Sequence, residues 1–395
     1  MVLSHSPVDP GAAPGDATGP SLRRLALDVA SRIAQPTAAD RDHNSRWDAH
    51  ILAELTRALP TAALTGPLVP TVLGGGGLSA TETLALLEGL GQGARDPGLA
   101  LALGVHAVLA TAPLRAFGSP RQRERYLPRM ADGTWMGAVS LSQTQGTAVV
   151  QTVRVRPETA GPGGWVLTGE IDLVAAAPVA HHYLVIAEHT DGARTAFLLD
   201  RSTPGLLINA AGPAALRTCP WGRLTLDNCL LPADAVLGTV GGAVDEVEPL
   251  LAALDWVFTS APWLGVMRAL THDAGEAAHQ QRLFGQPRIH SQTTRFVLAD
   301  MATQCELASG LLYRAAAEFD AGGRPSRQNA AAARLFTAAA VRVCVDSAAR
   351  LSGVLALNSD DLIARAHRDA LFFTESGGGP EVQRSVIAAA ALGLG

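Results

Sequence analysis

The apolar pattern of this chain changes period twice, and that order of patterns restricts its fold more than any single motif. From Leu22 to about Trp135 apolar residues recur at helical spacing, interrupted by Pro67, Pro70 and the run Gly74 to Gly77, which predicts four to six helices. Between Met136 and about Gly238 the residues alternate, as in Trp165, Leu167, Gly169, Ile171 and Leu173, or Tyr183, Val185 and Ala187. This predicts a small, barrel-like antiparallel β domain. After Gly241 and Gly242 helical spacing returns in longer runs. Leu298, Met301, Cys305, Ala308, Leu312, Ala315 and Phe319 follow one another at alternating intervals of 3 and 4, and Phe336, Ala340, Val343 and Ser347 repeat the spacing, the seam of a helical bundle. A last helix is expected from roughly Pro380 to Leu392. The expected organisation is a disordered Pro-rich tail over 1–20, a helical domain over 21–135, a β domain over 136–240 and a helical bundle over 241–395.

Composition then removes whole classes of chemistry. All 31 basic residues are arginine, so a pyridoxal Schiff base, an amine nucleophile and a P-loop lysine are excluded. With 36 acidic residues the net charge is -5, which argues against a nucleic-acid partner. The apolar stretch Gly98 to Leu114 is interrupted by His106, Thr111 and Pro113 and is expected to fall short of a membrane span. No signal peptide pattern opens the chain. Cys219, Cys229, Cys305 and Cys344 form no CxxC pair, as expected of reduced, buried thiols in a cytoplasmic protein. His181 and His182 lack partners at metal-ligand spacing, so no metal is expected.

Several strings occur in a telling order. Phe117-Gly118-Ser119 precedes Arg125-Tyr126-Leu127-Pro128 and Ala131-Asp132-Gly133. Gly164-Trp165-Val166-Leu167-Thr168-Gly169-Glu170 follows, then Leu231-Pro232-Ala233-Asp234, Phe284-Gly285, Leu298-Ala299-Asp300-Met301, Arg368-Asp369-Ala370 and Val382-Gln383-Arg384. Together they resemble the acyl-CoA dehydrogenase family over about residues 22–395. The resemblance implies an α+β multidomain fold with a helical N-terminal domain, a central antiparallel β domain and a C-terminal four-helix bundle, assembled as a homodimer or homotetramer.

In that family a carboxylate removes the α-proton of an acyl thioester while hydride passes to FAD. The flavin-facing loop is similar in position to Leu141, Ser142, Gln143 and Thr144. Where the family has Trp-x-Thr-Asn over the flavin, this chain has Leu173, Val174, Ala175 and Ala176, without the aromatic surface or the hydroxyl. The pyrophosphate-holding arginine three residues before Phe284 is Gln281. Arg282 is one residue away, about 100° round a helix. Of the glycine-rich segment only Gly353 remains, within Arg350 to Ala356. If FAD binds, the resemblance assigns it Ser142, Thr144, Arg282, Phe284, Gln292, Arg350 and Gly353. The usual base position is Gly377, whereas a branch that includes isovaleryl-CoA dehydrogenase carries its base at the position of Asp255. Asp255 and Glu375 are the candidate catalytic groups, and Gln143, Trp256, Arg368 and Gly377 are expected to line the substrate cleft.

Three functions follow. The losses concentrate on flavin contacts and spare the packing strings, which favours an enzyme without a cofactor. Such an enzyme would use the old cleft for acid-base elimination, isomerisation or cyclisation of an acyl substrate, carried on CoA or a carrier protein. The alternatives are an FAD-dependent dehydrogenase with Asp255 as base, and a non-catalytic subunit paired with an active relative.

Overall fold

The computed structural model describes residues 19–60, 63–145, 153–158, 163–322, 326–354, 358 and 360–394. Residues 1–18 of the expected tail lie outside the described residues. The N-terminal helices are α1 (Gly19–Ile33), α2 (Ala38–His43), α3 (Ala49–Ala58), α4 (Ala80–Ala94), α5 (Pro97–Gly104), α6 (Thr111–Phe117) and α7 (Pro120–Ala131). These exceed the expected four to six for two local reasons. The six-residue α2 is too short to show a period. A π-helical turn at Val105–Ala110 joins α5 to α6 just ahead of Pro113, which has no amide hydrogen to donate. Capping boxes form at two helix starts: Ser79 with Glu82 opens α4 and Ser119 with Gln122 opens α7. The Gln122 amide also donates to the carbonyls of Asp234 (2.9 Å) and Val236 (3.0 Å), tying α7 to the end of the sheet region.

The central strands are β1 (Gly137–Ser140), β2 (Val153–Pro157), β3 (Gly164–Ala175), β4 (His182–Glu188), β5 (Arg194–Asp200), β6 (Leu206–Ala210), β7 (Trp221–Pro232) and β8 (Val236–Leu237). They run in the order β6-β7-β3-β1-β4-β5-β8, with β2 against β3 and β4. Most ladders are antiparallel, as expected. Short β1 and β2, however, lie parallel to β4, a pairing that alternation within one strand does not encode. Because β1 sits mid-sheet, its C-terminal end delivers residues 141–145 to the bundle.

The remaining helices are α8 (Val247–Phe258), α9 (Ala261–Gln280), α10 (Gln292–Asp320), α11 (Arg327–Ser352), α12 (Leu362–Glu375) and α13 (Gly379–Ala391). A hairpin of β9 (Arg282–Leu283) and β10 (Gln286–Pro287) separates α9 from α10. The seam residues Met301 to Phe319 are buried as expected. On α11, Val343 faces outward at 41% exposure. That helix packs against α8, α9, α10, α12 and α13, so its buried face is wider than a seam and includes Arg334 and Thr337. Helices α4 and α9 cross closely enough that a Cβ at Gly91 would stand 2.1 Å from the Pro262 carbonyl oxygen, and one at Gly265 2.1 Å from that of Glu88. Only glycine permits this approach. Residues 97–117 and 247–280 are long and apolar enough to cross a membrane, but their apolar windows are wholly buried in the core. All four cysteines are free and buried.

Two buried histidines, on α5–α6 and β4, make the fold sensitive to acid. His106 Nδ1 accepts the Gly137 amide (3.1 Å) and its Nε2 lies 3.2 Å from the Met130 carbonyl. Burial lowers its pKa to about 4, and burial first, then the neighbouring His106, lowers that of His182 to about 3. Both folded-state values lie below the unfolded one. Their neutral forms therefore support the fold above about pH 6.5, and that support is lost as pH falls from there towards 4. In denaturant titrations between pH 6 and 4, these two sites are expected to give a stability slope of up to ~2.7 kcal/mol per pH unit. His182→Phe should remove about half of it; an unchanged slope in that variant would refute the assignment.

Candidate active site

Asp255 lies on α8, a helix buried on nearly every face. Its carboxylate is only 1% exposed. Buried carboxylates need partners, and three hydrogen-bonding side chains meet this one. Oδ2 accepts from the Thr144 hydroxyl (2.6 Å) and the Gln145 amide (3.2 Å), and Oδ1 stands 3.2 Å from the Thr259 hydroxyl. Thr144 and Gln145 come from the turn after β1. Gln143 holds that turn in place: its amide donates to the Ile186 carbonyl (2.8 Å) and accepts the Ile186 N–H (3.1 Å), so one side chain acts as an extra rung on β4. Among the described residues the buried Gln145 Oε1 has no hydrogen-bond partner, leaving an acceptor next to the carboxylate.

The opposite wall is the turn between α12 and α13. Gly377, Gly378 and Gly379 have φ of +68°, +84° and +73°, a left-handed run that side-chain-bearing residues resist. Pro380 then starts α13. A Cβ at Gly377 would stand 3.3 Å from Asp255 Oδ2 and 3.2 Å from the Trp256 ring. The Trp256 indole donates to the Gly377 carbonyl at 2.8 Å. The two base positions of the resemblance thus converge on one place, and the carboxylate there is carried by α8.

Beneath Asp255 lies Arg334, also 1% exposed. It donates to Thr259 Oγ1 (2.9 Å), to the Phe373 carbonyl (2.7 Å) and to Ser376 Oγ (2.7 Å). Burial pushes its pKa down to about 10, and the charge of Asp255 pulls the other way, so it remains a cation at neutral pH.

Asp255, expected as a catalytic group, and Trp256 and Gly377, expected in the cleft, come together, whereas Thr144, which the resemblance assigned to FAD, bonds the carboxylate instead. Sequence reading missed Gln145, Thr259, Ser376 and Arg334. The one signal for Arg334 was a lone charge in the alanine-rich start of α11, spaced with buried positions. Other candidates lie elsewhere. Glu375 is exposed at the end of α12. Arg368 pairs with Asp42 (2.5 and 2.8 Å) and Asp369 (2.7 Å), binding α12 to the N-terminal helices. Gln143 is engaged with β4 as described. Ser142 Oγ is 2.7 Å from Ser140 Oγ. Gln292 and Arg350 are exposed. Arg282 donates to Gly285 O (2.9 Å) within its own hairpin, and Phe284 at the tip is 98% exposed with φ +51°.

The resemblance has its flavin-facing aromatic and hydroxyl within residues 173–176 and its pyrophosphate arginine at 281. Leu173 stands at a bulge with φ +52°, and Val174, Ala175 and Ala176 are buried in the core. Their side chains offer no aromatic face and no hydrogen-bond donor. Gln281 is engaged by Arg288 (3.0 Å), and Arg288 also caps the carbonyl end of α11 at Leu351 and Arg350.

A helical domain, a mixed sheet and a helical bundle, the last two meeting at one buried carboxylate, define the class of scaffold. Comparison with known proteins places it further. Residues 20–134 match the acyl-CoA dehydrogenase N-terminal domain and 257–392 the acyl-CoA dehydrogenase C-terminal domain. The chain is 30% identical to the benzylmalonyl-CoA dehydrogenase of Aromatoleum aromaticum, over 85% of this chain and 88% of that one. It is 26% identical to the L-prolyl peptidyl-carrier-protein dehydrogenase of Pseudomonas fluorescens, over 93% and 96%. The solved butyryl-CoA dehydrogenase of Megasphaera elsdenii superposes with a TM-score of 0.88 at 26% identity, over 96% and 100%. The chain belongs to the acyl-CoA dehydrogenase family.

Proposed function

We propose that the chain is an enzyme acting on an acyl thioester, with Asp255 as the acid-base group and without flavin redox chemistry. The observation that carries this reading is the Asp255 carboxylate held by Thr144, Gln145 and Thr259 at the place onto which Gly377 also faces. In the proposed step Asp255 Oδ2 takes the α-proton and the electron pair moves onto the thioester carbonyl as an enolate. With no hydride acceptor, the pair returns to carbon by expelling a β-substituent, by reprotonation at another carbon or by ring closure. For the first contact, the substrate must replace the Thr144 and Gln145 bonds to the carboxylate, so the 141–145 turn has to withdraw. The names of the relatives support a CoA or carrier-protein thioester as the class of substrate.

A second reading has its own support. Asp255 sits where the isovaleryl-CoA dehydrogenase branch carries its base, and the relatives are named dehydrogenases. FAD would then accept hydride, held by contacts other than the family's usual side chains.

Two measurements separate the readings. Protein purified without denaturation is expected to be colourless in the visible range and to exchange the α-proton of butyryl-CoA or of a carrier-bound prolyl thioester for deuterium in D2O. A stoichiometric flavin band would refute the flavin-free reading. Failure to exchange either thioester would refute the acyl-thioester assignment for these two substrates and favour the non-catalytic subunit.

A further inference from the structure

We propose that Arg334 is the positioning residue of this site: one buried guanidinium braces the two segments between which Asp255 stands and supplies the carboxylate's counter-charge. The inference rests on Asp255 as the base.

The geometry is that of a fork. One arm, Nη1, donates to Thr259 Oγ1 (2.9 Å) and reaches Ser260 Oγ (3.4 Å), at the junction of α8 and α9. The other, Nη2, donates to Phe373 O (2.7 Å), Ser376 Oγ (2.7 Å) and Ser376 O (3.4 Å), at the end of α12. The guanidinium carbon stacks 3.7 Å from the Phe373 ring centre. Its partners are hydroxyls, carbonyls and a ring, so its charge is not neutralised by direct contact.

The bonds close a loop. Since Thr259 Oγ1 accepts from Arg334, its own proton points to Asp255, whose backbone oxygen (2.5 Å) and Oδ1 (3.2 Å) are both in reach. Ser376 precedes Gly377, and Gly377 O holds the indole of Trp256, next to Asp255. Arg334, Thr259, Asp255, Trp256, Gly377 and Ser376 thus form one connected ring around the carboxylate. A lysine at this position would keep the charge but not bridge both segments.

The chemistry follows from the buried charge. When Asp255 takes up a proton, Arg334 loses the anion it faces in a low-dielectric setting. The other charges around the site are Arg327, whose guanidinium is 5.8 Å from the Trp256 ring, Glu248, two turns earlier on α8 and paired with Arg194, and exposed Glu375.

Arg334→Met and Arg334→Lys test this in the full chain. In the deuterium-exchange assay the Met variant is expected to lose about 100-fold in rate, and the acidic limb of its pH profile to move up by about 1 pH unit or more. The Lys variant should return the limb to its place while the rate stays low. A folded Met variant with unchanged rate and limb would overturn the proposal, as would a Lys variant that leaves the limb displaced. A substrate-free readout keeps this separate from the function itself. The guanidinium carbon of Arg334, followed by NMR in labelled protein, should titrate about 1 pH unit or more lower in Asp255→Asn and be unmoved in Glu381→Gln. If wild-type protein exchanges no thioester but this titration shifts, the function fails and the Arg334 coupling stands. If the titration does not shift, the coupling fails even where Asp255 proves to be the base.

Discussion

Asp255→Asn is expected to lower α-proton exchange by about 10³-fold or more while the fold persists, the range in which loss of a positioned general base falls. Asparagine has nearly the same shape, and its carbonyl oxygen can still accept from Thr144 at the Oδ2 position (2.6 Å in the wild type). Its amide then takes the Oδ1 position and faces the Thr259 hydroxyl, whose proton can go to the residue 255 backbone carbonyl instead. The remaining cost is electrostatic, because Arg334 would lose its opposing charge. Exchange is measured by mass spectrometry of the thioester after incubation in D2O, and folding by near-ultraviolet circular dichroism. A folded variant with undiminished exchange would remove Asp255 from the chemistry. Asp255→Glu is a sharper probe of fit, since one extra methylene must enter a site sealed by the chain's own side chains. Overpacking of that kind costs about 1–3 kcal/mol.

Gly377→Glu, which places a carboxylate at the family's more usual base position, is expected to destabilise the protein by about 2–4 kcal/mol. One part is backbone strain, because residue 377 has φ +68° and a side chain in the left-handed region costs about 1–3 kcal/mol. A second part is steric, since the new Cβ would stand 3.2 Å from Trp256. The third is charge: two carboxylates would share a water-poor site, and one must take up a proton. This term makes the prediction specific. In an Asp255→Asn background the like-charge repulsion is gone, so Gly377→Glu should cost at least about 1 kcal/mol less there. Denaturant unfolding of the four proteins in the cycle measures this directly. Equal costs in both backgrounds would mean that residue 377 does not face Asp255.

The positions read correctly from the sequence have a common character. The helical seam of α10 and the last helix, expected from roughly Pro380 and found at Gly379–Ala391, are both set by residues within a few positions of one another. Local spacing fixes which face a residue is on. The alternation in the middle third was equally legible as strands, but not the parallel placement of β1 beside β4.

The catalytic candidates divide along the same line. Asp255 was reachable by counting back along the sequence from Phe284-Gly285 without a gap, across α9 to α8. Glu375 was placed by nearness in sequence to Gly377, and it fails because α12 ends there with its side chain in solvent. Arg368, in the string Arg368-Asp369-Ala370, was expected in the cleft. Its guanidinium is instead drawn to Asp42, 326 residues away in the chain.

By itself, then, the sequence determined the order of the three parts, the helix that carries Asp255, the absence of lysine chemistry and the wholly apolar run Leu173 to Ala176. Each of these depends on residue type or local period. The tertiary structure alone decided that Thr144, Gln145, Thr259 and Gly377 meet at that carboxylate and that Arg334 lies beneath it. Arg334 and Asp255 are 79 positions apart, on helices whose relative rotation is set by packing. Only where a charge is buried, and what it is buried against, gives an otherwise ordinary arginine its role.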